Sequence, residues 1–170
     1  AGADSKTWKF AFFITKSGIA KRITFENLKY TNRAKRIMKL DDGDEIAQVR
    51  LTKGKNDLLI VTQNGQALRV AETEFRPLGR TARGVIAITL KNGDKVLSCD
   101  VVDDRRKILV ISEMGIGKRL EFSSFMPHHR STNGICIMEL SEKTGKLSGS
   151  LALKDTDEIL AITSKGRIIR

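Results

Sequence analysis

Basic side chains recur at fixed offsets along this chain. Arg22, Arg69, Arg119 and Arg170 each stand four residues after a glycine, namely Gly18, Gly65, Gly115 and Gly166. A second set lies later in each interval: Arg33, Lys35 and Arg36, then Arg76, Arg80 and Arg83, then His128, His129 and Arg130. Cationic groups in recurrent loops can neutralise successive phosphates without reading bases. Arginine suits this because its planar fork pairs bidentately with phosphate oxygens. The competing role is local, satisfying loop carbonyls or pairing with Glu72 and Glu74. For the glycine-plus-four arginines, facing a ligand and bracing a neighbouring unit both stay open. Lys21 and Lys118, one step back along the same strands, are expected to face solvent.

Other chemistry finds little support. His128 and His129 are adjacent, but no third ligand lies at a metal-binding spacing. No Ser/His/Asp order, phosphate-cradling loop or carboxylate dyad stands out, so neither a catalytic nor a metal site is expected. Cys99 and Cys136 lack a CxxC partner and sit in apolar stretches, which predicts two buried thiols in a reducing compartment. The chain has 170 residues and a formal net charge of +11, with 40% hydrophobic and 30% charged residues. That is a folded domain with a polyanionic partner rather than a disordered tail. No apolar run approaches the roughly 20 residues of a membrane span. Aromatic content of 5% is too low for stacking platforms, so duplex is favoured over single strands. Phe10, Phe12, Phe13, Phe25, Phe75, Phe122 and Phe125 fit core or interface positions instead.

The elements that must position these loops repeat with a period near 50. Phe75-Arg76-Pro77 recurs as Phe125-Met126-Pro127, and Arg80 recurs as Arg130. A fixed period of this length marks a repeat architecture. Short β-branched runs at Phe10–Thr15, Leu58–Thr62, Ile108–Ser112 and Ile159–Thr163 read as first strands, each ending in a glycine turn. Asn64-Gly65 suggests a type I′ hairpin. Third strands are expected over Gly84–Leu90 and Gly134–Leu140. Turns such as Asp42-Gly43-Asp44 and Asn92-Gly93-Asp94 then lead to fourth strands such as Lys95–Val102. No window holds a helical period. The reading is all-β: a propeller-like array of four-stranded blades, about three and a half repeats forming an incomplete, open set. The repeats fall near 8–55, 56–105, 106–156 and a truncated 157–170, all within one domain. Gly79 is expected to adopt a positive φ that lets Arg80 approach a phosphate. Ala1-Gly2-Ala3-Asp4-Ser5-Lys6 matches neither a signal peptide nor an initiator start, so the chain reads as part of a longer one. Kelch and WD-type propellers are disfavoured, since the double glycine is absent and Trp8 has no repeat partner.

The segment Phe75-Arg76-Pro77-Leu78-Gly79-Arg80-Thr81-Ala82-Arg83-Gly84-Val85 resembles the DNA gyrase A C-terminal domain family. So do Gly115-Ile116-Gly117-Lys118-Arg119 and Glu142-Lys143-Thr144-Gly145-Lys146-Leu147, and the resemblance covers Trp8 to Arg170. It implies a β-pinwheel whose neighbouring blades exchange strands and whose basic rim wraps duplex DNA. It also implies a non-catalytic accessory domain of a type IIA topoisomerase that supports ATP-dependent negative supercoiling. The implied partners are duplex DNA and, within an A2B2 enzyme, the remainder of gyrase A together with gyrase B, in the bacterial cytoplasm at the nucleoid. No cofactor is implied in this chain, since ATP and magnesium belong elsewhere in such an enzyme. The family's catalytic tyrosine lies outside this region, so Tyr30 is no nucleophile. Arg33, Lys35, Arg36, Arg76, Arg80, Arg83, Arg119, His129 and Arg130 are the candidate DNA contacts. The family's basic glycine-rich box (Gln-Arg-Arg-Gly-Gly-Lys-Gly) is not found; the nearest segment, His129-Arg130-Ser131-Thr132-Asn133-Gly134, lacks the glycine pair. The alternatives are the equivalent domain of topoisomerase IV, or a propeller scaffold that binds an acidic protein.

Overall fold

The computed structural model describes residues 8–28, 36–91, 93–162, 164–166 and 168–169. Tyr30, Arg33, Lys35, Asn92, Thr163 and Arg170, together with the N-terminal stretch, therefore lie outside the described residues. The first repeat supplies β1 (Phe10–Thr15), β2 (Ile19–Thr24) and β3 (Ile46–Thr52). The second supplies β4 (Asp57–Thr62), β5 (Gln66–Ala71), β6 (Val85–Ile86) and β7 (Val96–Val101). The third supplies β8 (Lys107–Ser112), β9 (Gly117–Glu121), β10 (Ile135–Cys136) and β11 (Leu147–Leu153), and a short hairpin follows as β12 (Ala161–Ile162) and β13 (Ile168–Ile169). Helical geometry among the described residues is confined to single 3-10 turns at Phe25–Leu28, Glu72–Glu74 and Phe122–Ser124.

Each sheet is antiparallel, and two of them borrow a strand. The orders are β3-β1-β2-β6, β10-β5-β4-β7 and β11-β8-β9. The third strand of the second repeat thus pairs with the first blade, Ile19 against Ile86 and Ala20 against Val85. The third strand of the third repeat pairs with the second blade, Ile135 against Ala67. This is the strand exchange of a pinwheel, and the set of sheets is not closed. Gly84 and Gly134 make the crossing possible. Their φ angles are +107° and +74°, and a Cβ at either would stand 2.5 Å from the carbonyl oxygen of Ala20 or Ala67. Only glycine tolerates both conditions.

Two expectations change in detail. The third strands shorten from seven residues to two, because the chain turns away after Ile86. Ala87 N–H then donates to Gly18, Thr89 N–H to Thr132, and Ser131 N–H to Ala87. The Asn64-Gly65 hairpin is not type I′, which needs positive φ at both residues. Only Gly65 has it (+77°), and Gly65 N–H closes a turn onto the Thr62 carbonyl. The result is a three-residue loop with glycine in the left-handed position.

Strand alternation explains how blades stack. Leu58 and Ile60 join Phe12, Ile14, Leu68 and Phe75 in one cluster, while Leu59 and Val61 join Ile108, Val110, Phe122 and Phe125 in another. The continuous Leu58-Leu59-Ile60-Val61 run therefore serves a strand buried on both faces. Phe12 and Phe75 meet edge to face, centroids 5.0 Å apart, across the first interface. Cys99 is buried there, but Cys136 is exposed on the borrowed edge strand β10, against expectation. Side chains stand out from the plane of a sheet, and nothing among the described residues covers the face on which Cys136 stands.

Candidate nucleic-acid interface

The exchange decides where the basic loops sit. After their 3-10 turns the second and third repeats cross to the preceding blade: Pro77 bridges to Arg22 and Pro127 to Arg69. Leu78 N–H donates to Arg22 and His128 N–H to Arg69, at 2.9 and 2.8 Å. The loops 75–84 and 125–134 therefore straddle blade boundaries at equivalent places, on one edge of the array.

Arg22 and Arg69 are braces. Arg22 is buried, lies 4.4 Å over the Phe10 ring and reaches Glu72 Oε2 at 3.4 Å. Arg69 pairs with Asp57 and donates to the carbonyls of Phe122 and Phe125 in the next blade. Their exposed counterpart Arg119 meets Asp155 at 3.4 Å. Glu72 is the centre of the first brace. Wholly buried, it accepts from Thr52 Oγ1, Gly54 N–H and Asn56 N–H as well as from Arg22.

Lys21 overturns its expected place in solvent. It is fully buried, and its ammonium donates at 2.8 Å to three carbonyls, those of Ile37, Arg80 and Ala82. Burial lowers its pKa. The crossing segment covers what would otherwise be the outer face of β2, which the alternation of a single strand could not reveal. Lys118, at the same position in the third repeat, stays exposed, and its ammonium donates to the Ile137 carbonyl at 3.4 Å.

The remaining candidates divide by partner. Arg36, Arg76 and Arg80 are exposed, and their side chains form no ion pair among the described residues. Arg83 is held bidentately by Asp41, Nε at 2.6 Å and Nη2 at 2.5 Å. The guanidinium holds the Asp41 carboxyl below its ordinary range, and the carboxylate raises Arg83 in turn. Glu74 receives Arg130 N–H at 2.9 Å and contacts His129 Nδ1 at 2.6 Å. These bonds, the backbone one foremost, depress its pKa. Arg130 itself donates to the Ile86 carbonyl and Ser131. An open groove of about 310 Å³ lies between the two loops, with Arg22, Arg76, Arg130 and Glu74 on its walls. Gly79 has no positive φ and nothing within 4 Å of a Cβ, so its expected backbone role is not seen. Sequence reasoning missed Asp41 and Asp155 as partners, and no repeat offset points to either.

Among the described residues no three His, Cys, Asp or Glu side chains gather to hold a metal ion. No helix among them is long and apolar enough to cross a membrane.

Comparison with known proteins bears on this arrangement. The profile of a family described as DNA gyrase C-terminal domain, beta-propeller, matches residues 9–53, 56–103, 106–154 and 157–170. The A subunit of DNA gyrase from Aminobacterium colombiense is 52% identical over 163 residues, and that from Clostridium acetobutylicum 45% over 162. Each alignment takes in 95% of this chain and 20% of the relative, so the chain spans about a fifth of their length. A solved C-terminal domain of DNA topoisomerase IV superposes with a TM-score of 0.86 at 28% identity, over 99% of this chain and 53% of that one. A solved DNA gyrase A C-terminal domain gives the same TM-score at 23% identity, covering 99% and 57%.

Proposed function

The chain belongs to the DNA gyrase C-terminal domain family, and from that footing we propose that it binds duplex DNA and bends it along the edge formed by its crossing loops. One observation supports this above the others. Arg76 and Arg80 stand exposed and unpaired among the described residues, on a loop fixed across a blade boundary, and the next repeat places its own loop equivalently. Phosphate neutralisation along such an edge needs no base contact. Bending costs on the order of 1–6 kcal/mol per 20–30 base pairs, which several charge-assisted contacts must offset. Arg36, Arg119, His129 and Arg130 are further contacts on this reading, as are Arg33 and Lys35, which lie outside the described residues. On this reading the chain's three repeats and the truncated fourth form part of one domain, which does no chemistry and steers DNA for a larger enzyme. That enzyme pairs it with the rest of gyrase A and with gyrase B, where ATP is hydrolysed, in the bacterial cytoplasm at the nucleoid.

The topoisomerase IV likeness supports a second reading, in which the same edge sets DNA geometry without driving supercoiling. The primary test is affinity for two unrelated duplexes against salt concentration, with an acidic polypeptide as competitor. Equal affinities that fall steeply with salt are expected. Preference for the polypeptide, or no duplex binding at low salt, would discard the proposal.

A further inference from the structure

We propose that Lys21 is a positioning residue for duplex binding: its buried ammonium ties the basic loops of the first and second repeats together and so fixes the spacing of their guanidinium groups. This rests on the duplex-binding reading above. An ammonium has three N–H donors, and Lys21 spends each on a carbonyl at 2.8 Å. One carbonyl, Ile37, follows Arg36. The other two, Arg80 and Ala82, lie within the loop bearing Arg80 and Arg83.

The ends of that loop are fixed by Leu78 N–H on Arg22 and by the β2–β6 pairing, whereas the stretch between them has few backbone contacts. Ala82 N–H donates to Gly79 at 3.2 Å, and Lys39 N–H reaches the Ala82 carbonyl at 3.3 Å. Without Lys21 the Arg80 carbonyl loses its partner, and the two loops keep between them the Lys39 contact and the Arg83–Asp41 ion pair, whose side chains are 44% exposed and open to screening by salt. No ion pair neutralises Lys21 among the described residues, so its charge also stays beneath the loop. Fixing a loop before binding reduces the ordering cost that each exposed arginine imposes on the complex.

The second blade shows that such a loop is anchored by whatever chemistry is at hand. The position equivalent to Lys21 on β5 is Leu68, buried in the core. There Glu74 does the holding instead, taking Arg130 N–H and contacting His129. Two crossing loops thus carry two unrelated anchors, one ammonium on carbonyls and one carboxylate on donors.

The test is a double-mutant cycle on the whole chain, pairing Lys21→Met with Arg80→Ala and reading duplex affinity and salt slope. Arg80→Ala in the wild-type background is expected to weaken binding about eightfold at 0.1 M salt, the counterion release of one phosphate. Lys21→Met is expected to weaken it on the order of tenfold, about the loss of one charge-assisted phosphate contact once Arg80 is no longer held. Arg80→Ala added to Lys21→Met should then cost about twofold or less, because an unanchored Arg80 contributes little. Lys118→Met removes the same charge from the equivalent strand position and controls for it. An additive cycle, or equal losses from Lys21→Met and Lys118→Met, overturns the proposal. Failure of Arg80→Ala alone to weaken binding overturns the duplex reading instead. If Lys21→Met does not fold, ammonium exchange in wild-type chain labelled with ¹⁵N-lysine decides. Slow exchange at Lys21, with and without duplex, supports the clamp; exchange as fast as at exposed lysines overturns it.

Discussion

Asp41→Asn should strengthen duplex binding. In the free chain Asp41 occupies both N–H groups that Arg83 would offer a phosphate, and both side chains are 44% exposed. A pair so exposed adds little to folding and is screened by salt, so a phosphate can displace it. The displaced carboxylate, however, stays close to the DNA and repels it. Asparagine keeps the shape and removes the charge. The chain then gains one phosphate contact, steepening the salt slope by about 0.9 and raising affinity by up to about eightfold at 0.1 M salt. Arg83→Ala should cost about twofold or less in the wild-type chain, where Arg83 is already engaged, but should cancel the whole gain in the Asp41→Asn background. Fluorescence anisotropy of two labelled duplexes over roughly 0.05–0.3 M salt measures both quantities. If Asp41→Asn weakens binding as Arg83→Ala does, Asp41 aims the guanidinium instead of competing for it. No change in either variant would place Arg83 outside the interface.

Other outcomes follow from the packing. Gly84→Ala should destabilise the chain by about 1–3 kcal/mol, since its φ is +107° and its Cβ meets the Ala20 carbonyl; Gly79→Ala, in open space at ordinary φ, should be neutral or stabilising in the same thermal unfolding experiment. Glu72→Gln places an amide N–H₂ among four donors in a buried site and should cost on the order of 3–5 kcal/mol by urea unfolding. Asp103, held by Arg105 to a pKa of about 2, binds its proton less readily folded than unfolded. Its contribution is therefore present above about pH 4 and lost as pH falls towards 2, and Asp103→Asn should flatten that part of the thermal stability profile. An alkylating reagent should add once to the native chain, at Cys136. Burial shields Cys99 and pushes its thiol pKa up, so mass spectrometry should show a second adduct only after unfolding.

The architecture was legible because it rests on local, repeated signals. First strands end in glycine turns, and the Leu58–Val61 run reports burial on two faces through composition alone. The borrowed strands were legible only in part. Gly84 and Gly134 mark where each begins, but their shortening depends on hydrogen bonds from Ala87 and Thr89 to groups in other repeats. Lys21 was misplaced for the same reason. Alternation along β2 gives the side of the strand, while burial depends on a segment sixty residues later that crosses to cover it. Ion pairs such as Arg83 with Asp41 join loops of different repeats at no periodic offset, so no self-comparison of the sequence finds them.

Strand exchange also constrains how the interface can work. In a propeller of self-contained blades, a loop could move with its own sheet and leave neighbours undisturbed. Here the loop with Arg76 and Arg80 starts in the second repeat, hydrogen-bonds along β2 of the first and returns through β6. Arg22 reaches back from the first blade to Glu72, at the root of that loop. Any shift of one blade against the next must therefore break the Arg22–Glu72 brace, the Lys21 contacts or the β2–β6 pairing. The guanidinium spacing is thus set by blade packing and not by loop flexibility. On the proposed duplex-binding reading, duplex curvature must then adapt to the protein, which makes the deformability of the DNA the source of any sequence preference.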